Sequence, residues 1–140
     1  MNTATQIQTP FNQPLSNRGH YQHWQLASEK SQGKLPVAIV AGVADIHQCI
    51  TNILMTRKGT DILRPLFGSN YHDYLDAPQD VFIPNAVREV VIALTIWEPR
   101  IDVDSVKFIG SAPHLTMQVH WSLKEDIAKI IQSTEVAINV

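Results

Sequence analysis

The chain has 140 residues, 44% of them hydrophobic, and 11 Lys and Arg against 13 Asp and Glu give a formal net charge of −2. At this length a fold buries roughly 68% of the surface its unfolded chain exposes, enough for a core without disulfides or metal. A near-neutral balance with no run of Lys or Arg argues against an electrostatic nucleic-acid binder, and gives acidic or membrane-surface partners no support. Cys49 is the single cysteine, so there is neither an intramolecular disulfide nor a Cys-rich zinc site, and the composition fits a reducing compartment. The longest uncharged apolar stretch, Leu35 to Ala44, is half of what a bilayer span needs. The first residues lack the basic and apolar regions of a signal peptide. The expectation is a protein made and kept inside a cell, or packaged into something assembled there.

Residues 1–34 form a polar arm rich in Gln and Asn and broken by Pro10, Pro14, Gly19 and Gly33. Such a segment cannot bury enough surface to order itself alone. Its aromatics Phe11, Tyr21 and Trp24 are odd for a pure tether. Two readings stay open, an arm ordered by a partner and an arm strapped onto its own domain.

The folded domain is expected over 35–140. Asp45 and Gln48 stand at N-cap and N3 spacing, and Ile46, Cys49, Ile50 and Ile53 follow at helical intervals. The spacing predicts a helix of about three turns, with Arg57 and Lys58 in its last turn and Gly59 as its left-handed cap. A loop over Thr60 to Gly68 and a short helix through Tyr71, Tyr74 and Leu75 come next. A second long helix is expected to open at Pro84, where a first-turn proline costs nothing, and to carry Val87, Val90, Val91 and Leu94 on one stripe until Pro99 stops it.

There the period falls to two. Ile101 and Val103 alternate, Val106 and Phe108 alternate out of phase with them, and the slip at Asp104-Ser105 predicts a bulge or a turn. Beyond the turn Gly110-Ser111-Ala112-Pro113 the alternation is strict, with Leu115, Met117, Val119, Trp121 and Leu123 on one face and Thr116, Gln118, His120 and Ser122 on the other. A short helix over Lys124 to Ser133 and a last strand through Val136, Ile138 and Val140 complete the reading. The fold class is α+β: two to three helices packed on a small antiparallel sheet with an exposed edge.

Chemistry is sparse. His20 and His23 lie in the polar arm without a Cys or carboxylate partner, and His114 and His120 are about 20 Å apart by strand rise, too far to share one ion. Cys49 lies on an apolar stripe, where an inert buried thiol is expected. Neither a P-loop nor a G-x-S-x-G elbow occurs. Glu89, Glu98, Asp102 and Asp104 are candidates for the carboxylate pair of a glycoside hydrolase, although carboxylates on a helix face and a hairpin edge are ordinary surface. Neither cofactor nor metal is implied. In Ile96-Trp97-Glu98-Pro99-Arg100-Ile101 a proline fixes the exit from a helix, and Glu98 and Arg100, two apart, can point to the same side as one polar clamp. Taken alone, this is also an ordinary solvated turn.

The run Ile53-Leu54-Met55-Thr56-Arg57-Lys58-Gly59-Thr60, then Arg64-Pro65-Leu66-Phe67-Gly68, then Trp97-Glu98-Pro99-Arg100-Ile101 and a two-stranded hairpin, resembles the baseplate assembly protein W family over roughly Asp45 to Leu123. These are small wedge and sheath-initiator proteins of contractile phage tails, tailocins and type VI secretion systems. The resemblance implies a structural, non-enzymatic role in the virion tail baseplate, with the host cytoplasm as its place during assembly and many copies around the tail axis. It implies that Glu98, Pro99 and Arg100 sit against the helical core bundle of other wedge proteins, and that the hairpin pairs with extended arms of the first ring of sheath subunits. The partner-binding residues it implies are Arg64, Trp97, Glu98, Pro99 and Arg100, with Leu115, Met117, Val119 and Trp121 on the hairpin. Neither nucleic acid nor membrane is an expected partner. The long arm and the segment Lys124 to Val140 depart from the family pattern. Because a lysozyme label attaches to some naming in this family, a lysozyme-like tail enzyme using a carboxylate pair is the alternative.

Overall fold

A computed structural model of the chain describes residues 23–28, 39–111 and 114–139. The fold is α+β, with two α-helices and two small antiparallel sheets among the described residues. Two compact units divide the chain between Gln48 and Cys49, inside the first helix.

In the first unit, β1 (Trp24–Leu26) pairs antiparallel with β2 (Ile39–Ala41). A two-stranded sheet is marginal by itself, and here side chains tie it to α1 (Val43–Met55). The Gln25 amide donates to the Asp45 carbonyl at 2.8 Å. The Gln48 amide donates to the Leu26 carbonyl at 2.7 Å, and its oxygen accepts the Ser28 N–H at 3.0 Å. The Gln48 side chain expected to complete a cap with Asp45 therefore has another use. The helix begins earlier, with the Ile46 N–H on the Gly42 carbonyl, and Asp45 lies buried in its first turn. There its charge suits the positive end of the helix.

The expected stripe of α1 is real: Ile46, Ile50, Ile53 and Leu54 are buried. Its C-terminus differs from the expectation. The helix stops at Met55, so Arg57 and Lys58 lie outside its last turn. Gly59 has φ +91° but sits in the following loop, its N–H on the Pro65 carbonyl. Two side chains from further along close the helix. Thr56 Oγ1 donates to the Asn52 carbonyl at 2.7 Å, and His72 Nε2 lies 3.1 Å from the Leu54 carbonyl. A carbonyl can only accept, so Nε2 carries the proton.

His72 belongs to a 3-10 turn, Tyr71–Tyr74, which precedes α2 (Gln79–Trp97). The second helix starts five residues before Pro84, contrary to the expected start, and holds that proline in its second turn. The Val81 and Phe82 N–H groups both bond the Pro78 carbonyl. Phe82 is buried, edge-on to Phe108 at 5.2 Å between centroids. Burying a phenylalanine contributes about 2–3 kcal/mol, which offsets an interior proline's cost of about 3 kcal/mol. Ala86, Val90, Ala93 and Leu94 continue the buried stripe, so of the four residues expected on it Val90 and Leu94 are buried while Val87 and Val91 are only half-buried.

The second sheet has the order β3 (Ile101–Ser111), β4 (His114–Leu123), β5 (Gln132–Asn139), all antiparallel. Val103 faces Trp121 and Ser105 faces His120, so Asp104 is the extra residue of a bulge. That single insertion reconciles the two phases read along β3: Val106 faces Val119 and Phe108 faces Met117, on the same face as Ile101 and Val103. Leu115, Met117, Val119 and Trp121 are all buried there. At the hairpin, Gly110 has φ +101°, and a side chain there would run into the His114 carbonyl. Ala112, Pro113 and Val140 lie outside the described residues.

The helix expected over Lys124 to Ser133 does not form. Residues 124–131 are turn and loop, with Ile127 fully exposed and Ile130 and Ile131 mostly so. The apolar residues at helical spacing have no surface to pack on, and the strand claims Gln132 onward because Thr134, Val136 and Ile138 bury on the β4 face. Trp121 Nε1 donates to Thr134 Oγ1 at 2.9 Å inside that face.

Two outcomes follow. Deleting Asp104 forces either the Ile101 and Val103 pair or the Val106 and Phe108 pair off the core face. At about 1.5–3 kcal/mol per apolar side chain, this should remove most of the stability of a domain of this size, read as loss of a cooperative melt by circular dichroism. The second concerns pH. Burial lowers His72 below its usual 6.5, the Leu54 carbonyl and Asp73 pull it up, Arg57 pushes it down, and burial also lowers His47. Both bind protons more weakly folded than unfolded, so stability rises with pH through this window and is lost as pH falls below about 6.5. The melting temperature should be lower at about pH 5 than at about pH 7.5, and His72→Gln, which keeps a donor but cannot charge, should narrow the difference.

Candidate interaction surface at the helix exit

The turn after α2 is built from three local causes. The Glu98 N–H still bonds the Leu94 carbonyl at 2.8 Å, ending the helix in register. Pro99 has no N–H to continue it. The Ile101 N–H then closes the turn on the Glu98 carbonyl at 3.4 Å.

Glu98 and Arg100 do point to the same side, and they grip each other. Arg100 Nε lies 2.5 Å from Glu98 Oε1 and Nη2 lies 2.7 Å from Oε2, a two-pronged ion pair. The Glu98 side chain is only 4% exposed and that of Arg100 26%. Nη2 also reaches Cys49 Sγ of α1 at 3.7 Å, and the Arg100 carbonyl accepts the Lys124 N–H at 3.1 Å. A carboxylate this buried needs the fork, because removing one partner of a buried pair leaves an uncompensated charge. Pro99 is exposed at the apex and Trp97 is half-buried.

Trp97 joins this turn to the loop between α1 and the 3-10 turn. Phe67 packs edge-on to it at 5.1 Å between centroids. The Arg64 guanidinium lies 4.2 Å over the Phe67 ring, while its Nε and Nη2 reach Asp61 Oδ2 at 3.1 and 3.0 Å. Asp61 Oδ1 accepts the N–H groups of Leu63 and Arg64. These bonds hold the Asp61 carboxyl below its usual range despite the opposing desolvation. The loop closes where the Ser69 N–H bonds the Thr56 carbonyl and the Lys58 N–H bonds the Ser69 carbonyl. Only glycine fits at position 68, where φ is +103° and a Cβ would overlap the Thr56 carbonyl.

Of the residues expected to bind partners, Arg64, Trp97, Glu98, Pro99 and Arg100 thus come together around one helix exit. The hairpin residues are placed elsewhere. β4 is the central strand, paired with β3 and β5, and the side chains of Leu115, Met117, Val119 and Trp121 are buried. Neither backbone nor side chain of these four faces an added strand. Among the described residues the edges of this sheet are β3 and β5. What the sequence reading missed is the ring ladder from Arg64 to Trp97; its one signal was Asp61 three residues before Arg64, the spacing of a side-chain-closed turn. Among the described residues there is no group of three His, Cys, Asp or Glu suited to a metal.

The sequence of residues 40–135 matches the family of the baseplate wedge protein gp25. The chain belongs to that family. A crystal structure from Geobacter sulfurreducens, named as a tail lysozyme, is 26% identical, with a TM-score of 0.63 over 74% of this chain and 96% of that one. A pyocin R2 baseplate chain in the postcontracted state is 18% identical, with a TM-score of 0.53 over 84% of this chain and 99% of that one. A chain of the anti-feeding prophage baseplate is 18% identical, with a TM-score of 0.55 over 84% and 85%. At 18% identity the two baseplate chains share the fold alone. No curated protein sequence matches the chain. The family is a structural one of contractile-tail baseplates, as the first reading of the motifs expected.

Replacing Arg100 by Ala should cost about 3 kcal/mol, the low end for breaking a buried pair because Arg100 keeps some exposure. Replacing Glu98 by Gln and Arg100 by Met together should cost clearly less than Arg100→Ala, since no charge is left stranded. Urea unfolding of both variants checks this.

Proposed function

We propose that the chain is a structural component of the wedge in a contractile-tail baseplate. Its helix exit seats against other wedge proteins, and an open sheet edge receives a strand from the first sheath ring, so that sheath polymerisation starts on a finished baseplate. The observation that carries this reading is the outer edge of β5. From Gln132↔Trp121 to Asn139↔His114, eight residues pair with β4 without a bulge, and no proline interrupts them. Every second residue of an edge strand turns its N–H and C=O outward, which is what strand addition uses for affinity. β3 is the poorer edge: Asp104 bulges from it, and Asp102 and Lys107 are exposed along it.

At the helix exit the parts a partner reaches are Pro99, Trp97 and the Arg64 loop, while the Glu98 and Arg100 fork makes the turn stiff. Stiffness matters because a preformed surface loses less entropy on docking. Several copies around a tail would multiply weak single contacts.

The enzyme reading rests on carboxylates, and the geometry gives it little. Both oxygens of Glu98 are taken by Arg100, and Glu89 Oε1 accepts from Arg88 at 3.0 Å. Neither is a free acid and base pair flanking a substrate. We therefore take the role to be non-catalytic.

Hydrogen exchange on the chain alone and bound to a baseplate carrying its first sheath ring tests the edge. Alternate amides of residues 132–139 should gain protection while those of β3 keep their rates. Unchanged exchange along β5 would sink strand addition there. Purified protein should leave peptidoglycan suspensions turbid; clearing that disappears in Glu89→Gln or Glu98→Gln would restore the enzyme reading.

A further inference from the structure

We propose that the loop 61–67 is a preformed plug that inserts into an apolar pocket with an acidic rim on a neighbouring baseplate protein, an inference that rests on the wedge reading above. Ile62 and Leu63 are 92% and 91% exposed and Leu66 is 68% exposed. Large apolar side chains this bare, three within five residues, mark an interaction site rather than scattered surface. The loop carrying them is held rigid. Asp61 closes it on the Leu63 and Arg64 N–H groups, Arg64 returns to Asp61, and Phe67 anchors its base on Trp97. Nothing in this bracing buries Ile62, Leu63 or Leu66. Its effect is to fix where they project.

The partner's chemistry follows from the surroundings. Arg57 and Lys58 precede the loop and Arg64 lies within it. Asp73 pairs with Arg57 and Asp61 with Arg64, both on the surface, whereas Lys58, whose N–H bonds the Ser69 carbonyl where the loop closes, has no acidic partner among the described residues. An apolar pocket edged by carboxylates complements that pattern. Through Phe67 and Trp97 the tip is also continuous with the helix exit, so one partner can cover both. A lipid surface is the competing class, since apolar tips with basic flanks also insert into anionic bilayers. The fixed turn favours a protein pocket, because bilayer insertion makes no use of a fixed projection angle.

The test places the photo-crosslinker p-benzoylphenylalanine at position 62 or 66 of the full chain and irradiates assembled tail particles. The expected product joins this chain to a different baseplate protein at an apolar segment flanked by Asp or Glu, and Lys58→Glu should lower its yield at least fivefold. Ile62→Ser with Leu66→Ser should lower incorporation into particles at least tenfold with an unchanged melting temperature, because both side chains are already in water. Crosslinking only to a second copy of this chain, or no more than from position 125 on the exposed β4 to β5 loop, overturns the plug. So does co-sedimentation with vesicles of phosphatidylglycerol and phosphatidylcholine that the double variant loses. Absence of the chain from the particles overturns the wedge reading together with it, whereas a chain present but uncrosslinked at 62 and 66 overturns the plug alone.

Discussion

The Glu98 and Arg100 ion pair sets the angle at which the 19-residue helix α2 hands over to the 11-residue strand β3. A carboxylate with almost no solvent contact has no good alternative to its guanidinium, so the turn has one low-energy geometry. Ile101 follows directly and is buried, which starts β3 on its core face. The same turn takes the Lys124 N–H on its Arg100 carbonyl, tying the far end of β4 to the start of β3. One residue pair thereby governs helix exit, strand entry and the closing of the first hairpin. Arg100 also touches Cys49, which gives the single cysteine a packing role between α1 and the turn.

From that junction the sheet divides its resources cleanly. β4 spends its side chains on the core and its backbone on two neighbours, so it is the most committed strand and the least available to others. Availability lies at the periphery, along β5, at the apex of Pro99 and on the loop 61–67. Stiff internal bonds sit directly behind each of these: the Trp121 to Thr134 contact behind β5, the ion-pair fork behind Pro99, and the Asp61 and Arg64 bracing behind the loop. A protein that is built into something benefits from that pattern, because little order remains to be imposed at docking.

The fold persists at low identity. Two baseplate chains share the fold at 18% identity. A sheet is held by backbone hydrogen bonds, so its register and strand lengths constrain side-chain identity little. In this chain residue identity is dictated at few positions, such as Gly68, where φ is +103° at the loop closure.

The sequence by itself determined whatever depends on local periodicity and stereochemistry. The stripe of α1, the alternation along β4, the phase slip at Asp104 and the proline stop at 99 were legible because each follows from a period of 3.6 or 2 or from a missing N–H, whereas of the stripe read for α2 only Val90 and Leu94 are buried. Tertiary structure decided the rest. Pro84 sits in a second turn because Phe82 gains a partner 26 residues away in Phe108, and the Gln48 side chain serves β1 instead of a cap because a strand from the polar arm lies against it. Ile127, Ile130 and Ile131 form no helix because nothing packs over them. That the Glu98 and Arg100 clamp closes on itself, and that β4 is central rather than an edge, are facts about burial and strand order. They depend on contacts between residues far apart in the chain, whose desolvation and pairing energies leave no trace in local spacing.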